Sequence, residues 1–270
     1  MSDITLYHAD YSTCSQKVRM TLAEKKLAYR SIPLSFRKEE QLAPSYLKLN
    51  PNGVVPTLVH GNDVIVDSSC IIEYLDEVFD AEPLRPATAA ARAKMRAWLR
   101  YMEEVPTKAI RTPSFNDVFL PALRLVKSKK AFSQSASRRT LRKGFYKKMN
   151  DGQGFQDADV KDSIRQLRDT VQRMNSELET GHWIMGEKFT LVDIGLAPLI
   201  DRAADMEMHF LWNDLPNVID WIHRVQSRSS FVAAFYKGSR LSQRFEFKLS
   251  MRSTKKQNRN SKLSDYLEEY

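Results

Sequence analysis

The sequence predicts an α/β domain followed by an all-helical one. Three observations lead there. Up to about Phe79, short β-like runs alternate with helical patterns. A stretch with two prolines, DAEPLRPATAA, then breaks the pattern. Beyond it apolar residues recur every three or four positions and no convincing strand returns. The 270 residues are enough for two medium domains. The expected division is a first domain over 1–80, a linker over 81–88, a helical domain over 89–236 and a basic, flexible tail over 237–270.

The elements follow in order. Residues 4–8 (ITLYH) read as a strand, and 15–26 as a helix with Val18/Leu22 and Met20/Ala23/Leu27 at helical spacing. A second extended run lies near 29–34. VPTLVH and DVIV flank Gly61-Asn62 as a hairpin. Asp67 or Ser68 caps a helix whose apolar face is Ile71, Ile72, Leu75, Val78 and Phe79. After the linker, helices are expected over 92–104, 162–178, 191–206 and 216–226. Thr190 and Asp193 form a capping-box pair at the start of the third of these.

Composition excludes several classes. There is no charged-then-apolar leader, and no apolar run long enough to span a membrane, so a cytoplasmic protein without a membrane partner is expected. Two cysteines, Cys14 and Cys70, are too few for a disulfide framework. Five scattered histidines show no metal-ligand spacing, so no metal is expected. The net charge of +9 is concentrated in residues 124–148 and 237–262, which together carry +18. Neither segment interleaves aromatics at a regular spacing, so both read as solvated surface and not as a nucleic-acid site.

Three motifs resemble the glutathione S-transferase superfamily: NPNGVVPTL (50–58), DSSCIIEYL (67–75) and FTLVDIGLAP (189–198). The resemblance covers roughly residues 4–235 and implies a thioredoxin-like first domain, a helical second domain, a homodimer, and glutathione as co-substrate. It also implies a cis bond before Pro56. The Val55 edge there would pair with the cysteinyl unit of glutathione. Ser68 would hold the γ-glutamyl carboxylate at a helix N-terminus, Asp67 the ammonium and Gln41 the glycyl carboxylate. LRPATAAARAKMRAWLRYMEE is similar to the bacterial β-etherase branch, whose members cleave β-aryl ethers with glutathione. STCSQKVR (12–19) is similar to the serine loop of zeta-class transferases, which assigns thiol activation to Ser12, with Thr13 as second choice.

The chemistry fits those residues. A free thiol with a pKa of about 8.5 is only a few per cent ionised at neutral pH, and lowering it by about two units is worth roughly 2.7 kcal/mol. A hydroxyl donor at a helix N-terminus supplies that kind of stabilisation. The electrophile is expected to be hydrophobic or aromatic, in a pocket of Tyr11, Tyr101, Phe115 and Phe119, with Met102, Thr112 and Asn116 as further candidates. All of these also suit a helix-bundle core. Cys14, two residues past the family's activating position, and Cys70 read as packing residues. Two alternatives stay open: a non-catalytic ligand-binding scaffold of the same fold, and thiol–disulfide exchange through Cys14.

Overall fold

A computed structural model describes residues 3–79, 81–125, 128–149, 154–244 and 262–267. The first domain holds β1 (Ile4–His8), α1 (Thr13–Glu24), β2 (Arg30–Pro33), α2 (Pro44–Leu47), β3 (Thr57–His60), β4 (Asp63–Val66) and α3 (Ser68–Val78). Its sheet has the order β2-β1-β3-β4. β1 runs parallel to β2, through the α1 crossover, and antiparallel to β3. β3 and β4 form the hairpin, turning at Gly61 with φ of 57°. This is a thioredoxin-like arrangement.

The second domain opens with α4 (Ala89–Glu104), then short helices α5 (Pro106–Ala109) and α6 (Arg111–Ser114). A π-turn at Phe115–Phe119 leads into α7 (Leu120–Leu123), followed by α8 (Lys129–Ser137) and α9 (Lys143–Lys148). The long α10 (Asp157–Glu177), the central α11 (Leu191–Asp205), α12 (Pro216–Gln226) and α13 (Ser229–Ala234) complete it. α11 is buried from Leu191 to Ala203. Gly195 lets it approach α4, since a Cβ there would come within 2.5 Å of the Met102 methyl.

α1 joins the domains. Every residue from Ser15 to Leu22 is buried, and the helix lies against α3, α11 and α13. One apolar cluster runs from Ile4, Leu6 and Leu58 through Val18 and Leu22 to Leu99, Ile194 and Trp221. The polar residues of α1 are therefore buried in a domain junction, and each finds partners. Lys17 pairs with Glu103 of α4 at 2.6 Å and donates to Ser69 at 3.1 Å. Arg19 donates to the carbonyls of Asp10 and Ala234 at 2.8 and 2.9 Å.

Two expectations need correcting. The tail expected from residue 237 onwards is not free along its described parts. Tyr236 donates to Asp10 at 2.6 Å, Arg240 pairs with Asp201 at 2.8 Å and Arg244 pairs with Asp10. Residues 262–267 form a further helix whose Leu263 is 5% exposed within the main core. Acids left in excess by the rest of the chain hold these cations. The remaining tail residues lie outside the described ones. Cys70, expected in the core, is exposed instead, because it sits on the first turn of α3 facing away from Ile71 and Ile72. Among the described residues no helix is long and apolar enough to cross a membrane, and no His/Cys/Asp/Glu group has the makings of a metal site.

Candidate active site

The loop after β1 is held tightly. The Ser12 amide donates to the Ala9 carbonyl at 3.1 Å, and the Ser12 side chain caps α1 by accepting the Ser15 amide at 3.3 Å. An accepting cap oxygen keeps its own proton free to donate, so Ser12 can cap a helix and hold an anion at once. Ser12, Thr13 and Cys14 are half-buried at the point where the first amides of α1 are unpaired. These amides and the helix dipole favour negative charge.

The expected glutathione residues gather at the same end of the sheet. The Val55-Pro56 bond is cis, and Val55 packs with Ala9 and Tyr46. Among the described residues, no loop hydrogen bond engages the Val55 amide or carbonyl. Asp67, at φ 70°, caps α3 by accepting the Ser69 and Cys70 amides at 2.9 and 3.2 Å. Ser68 is therefore the first helical residue and not the cap, and it is buried. Lys17 lies among Asp67, Cys14 and Glu103, which ties the starts of α1 and α3 together. Burial pulls its ammonium down, but Glu103 and its other acidic neighbours outweigh that and leave the pKa raised. Gln41 departs from the expectation: it is 2% exposed, and its side-chain oxygen has no partner. It is enclosed instead of being offered to a ligand.

On the acceptor side the structure brings three of the four expected aromatics together. The Tyr11 ring lies 5.7 Å from Phe119, which is 4.9 Å from Phe115. Tyr101 is not among them. Its hydroxyl meets Thr170 of α10 at 2.9 Å and its ring lies under Arg173, because α4 turns that face to α10. Met102 is buried beneath Gly195, Thr112 is buried, and Asn116 accepts the Phe155 amide at 3.3 Å.

Sequence reasoning missed four participants. Phe36 lies 5.7 Å from Tyr11. Arg202 donates to the Tyr11 carbonyl, and the Arg244 guanidinium sits 5.3 Å over the Tyr11 ring. Burial raises the Tyr11 pKa while these two cations oppose it. Arg111, on α6, reaches the Cys14 thiol. None carries a local motif, because all four contacts are long-range in sequence.

A thioredoxin-like domain packed on a helical bundle, with a cis-prolyl edge and two capped helix starts at one end of its sheet, is the arrangement of the glutathione-transferase fold. Residues 6–83 match the family model described as glutathione S-transferase, N-terminal domain, and residues 115–229 match its C-terminal domain. The chain belongs to the glutathione S-transferase superfamily. It is 28% identical to protein LigF of Sphingobium sp. over 255 residues, covering 88% of this chain and 95% of that one. The solved structure of that protein, described as a beta-etherase, superposes with a TM-score of 0.77 over 86% of this chain and 98% of its own. The chain is also 26% identical to glutathione S-transferase TCHQD of Arabidopsis thaliana, over 84% of this chain and 87% of the relative. Over 90 residues alone, 33% of the chain and 40% of the relative, it is 43% identical to a zeta-class transferase of Euphorbia esula.

Proposed function

We propose that this protein is a glutathione transferase in which the Ser12 hydroxyl stabilises the glutathione thiolate for attack on an electrophilic carbon. The observation that carries this is the Ser12 cap: its oxygen already accepts the Ser15 amide, so the hydroxyl proton is left for the sulfur. The cis Val55-Pro56 edge and the Asp67-capped start of α3, at the same end of the sheet as Ser12, support seating of the cysteinyl and γ-glutamyl units of the tripeptide there. The likeness to LigF supports a finer reading, displacement of a phenolate from a β-aryl ether. Exposed Val64 and Val78, on the hairpin and α3, suit a homodimer face.

The test is a pair of variants assayed with glutathione and 1-chloro-2,4-dinitrobenzene. Ser12→Ala is expected to lower turnover by roughly 10²-fold, as loss of a charge-stabilising donor does. Cys14→Ala is expected to cost little. The reverse order would move the chemistry to Cys14, a second reading favoured by its place at the helix start beside Arg111, Lys17 and Arg202. Release of phenol from a β-aryl ether dimer checks the etherase reading; conjugation without ether cleavage would leave only the transferase.

A further inference from the structure

The loop that presents Ser12 is tied down from behind, one peptide after another. The Ala9 carbonyl accepts the Ser12 amide at 3.1 Å and Arg19 at 3.4 Å. The Asp10 carbonyl accepts Arg19 at 2.8 Å, and the Tyr11 carbonyl accepts Arg202 of α11. A carbonyl held in place fixes its whole peptide plane. The peptide planes ahead of Ser12 are therefore fixed from the domain junction, where Arg19 and Arg202 are buried.

The front of the loop is held by a different segment. After α13 the chain turns at Gly238, whose φ of 89° suits glycine, and comes back to the loop. Asp10 Oδ1 accepts the Tyr236 hydroxyl at 2.6 Å, and Oδ2 pairs with Arg244. Arg244 is itself aimed: its Nε donates to the Gly238 carbonyl at 2.6 Å, and its guanidinium lies 5.3 Å over the Tyr11 ring. One arginine thus grips the side chains of the two residues directly before Ser12. The segment is anchored in turn. Gln16 of α1 donates to the Ser239 carbonyl at 2.9 Å, Arg240 pairs with Asp201 at 2.8 Å, and Asp205 accepts the Leu241 amide at 2.7 Å. Ser239 and Leu241 are buried. An isolated surface ion pair is worth little, but one backed by a network with fixed ends holds what it touches.

We propose that residues 236–244 form a strap that positions Ser12, acting through the contact of Arg244 with Asp10. This rests on the transferase reading above and adds Arg244 and Asp10 to it as positioning residues, which act through the loop and not on the sulfur. A hydroxyl stabilises a thiolate only while it is held at hydrogen-bond distance and direction. A loosened loop therefore weakens the donor without removing it.

Two measurements test it in the full chain, with Arg244→Gln, Asp10→Asn and the double variant. Both side chains are partly exposed, at 40% and 24%, so these variants spare the core. The first measurement is amide hydrogen exchange without glutathione, read on residues 9–15. Exchange there is expected to rise at least about fivefold in each single variant, and in the double one no further than in the larger single, since both remove one contact. Unchanged exchange, or single effects that multiply in the double variant, overturns the proposal. A rise that extends equally to α11 would place the effect on the whole fold and overturn it too.

The second is the ultraviolet titration of the thiolate of bound glutathione. Arg244→Gln is expected to move it up by about one pH unit, a tenfold weaker hold on the anion. Arg244→Lys, which keeps a cation for Asp10, should recover most of that. Turnover that falls while the titration stays in place would mark a merely structural role and overturn the proposal. Ser12→Ala, run alongside, separates the two claims. If it leaves the titration unmoved, the Ser12 reading fails, while the exchange measurement, made without glutathione, still decides the strap.

Discussion

A single buried histidine shows how the first domain couples to pH. His8, the last residue of β1, accepts from Arg19 at 3.1 Å through Nδ1, and its Nε2 meets Ser31 of β2 at 2.7 Å. Burial first, and the Arg19 charge second, lower its pKa from 6.5 to about 4. The unfolded chain therefore binds a proton that the folded one refuses between about pH 6.5 and 4, and stability falls on acidification through that window. At pH 5 the loss is on the order of 2 kcal/mol, from about 1.4 kcal/mol per pH unit. Urea unfolding at pH 7 and pH 5 checks it. The difference between the two pH values should shrink in His8→Gln, and parallel behaviour of variant and parent would remove His8 as the cause. None of this was legible in the sequence, where His8 is one strand residue among others. Ser12 drew attention in the sequence only through the likeness of its loop to the zeta-class serine loop; that its side chain caps α1 is seen only in the fold.

Elements with strong local signals formed as expected, and those without did not declare themselves. β1, the hairpin and α11 carry period, turn and cap within a few residues. Residues 105–123 do not: Pro106, Pro113 and Pro121 cut them into short helices around a π-turn, too brief for a period to show. The start of α11 is the best test of a local signal with long-range consequences. Thr190 caps the helix, and the Asp193 carboxylate accepts the Thr190 and Ile184 amides at 2.9 and 3.1 Å and the Trp221 indole N–H at 2.8 Å. One buried carboxylate thereby fixes a helix start, the preceding loop and α12. Asp193→Ala is expected to cost about 3–5 kcal/mol, leaving three buried donors unmet. Thr190→Ala, losing the cap and one hydroxyl bond to Asp193 at 3.2 Å while the amide donors stay paired, should cost about 1–2 kcal/mol. Thermal melts of the two variants check the order; a milder Asp193→Ala would mean that water or a neighbour satisfies those donors.

At the scale of the whole molecule, α1 decides whether the two domains behave as one. The division near the linker was legible from composition, but the buried polar face of α1 was not, since the partners of Gln16, Lys17 and Arg19, namely Ser239, Glu103 and Ala234, are all distant in sequence. Nor was the anchoring of residues 236–244, whose partners Asp10, Asp201 and Asp205 are distant in sequence. With α1 shared, neither domain can shed the other without exposing Val18, Leu22 and the Lys17 and Arg19 charges together. Unfolding should therefore be a single transition, against the usual expectation that domains joined by a linker move independently. The chain carries its own reporters. All four tryptophans lie in the helical domain and both cysteines in the first. In a Cys70→Ser background, which removes the exposed thiol, the urea midpoint from tryptophan fluorescence and that from Cys14 reactivity are expected to coincide. Early exposure of Cys14 at unchanged fluorescence would show that α1 belongs to the first domain alone, and that the site between the domains opens before the bundle melts.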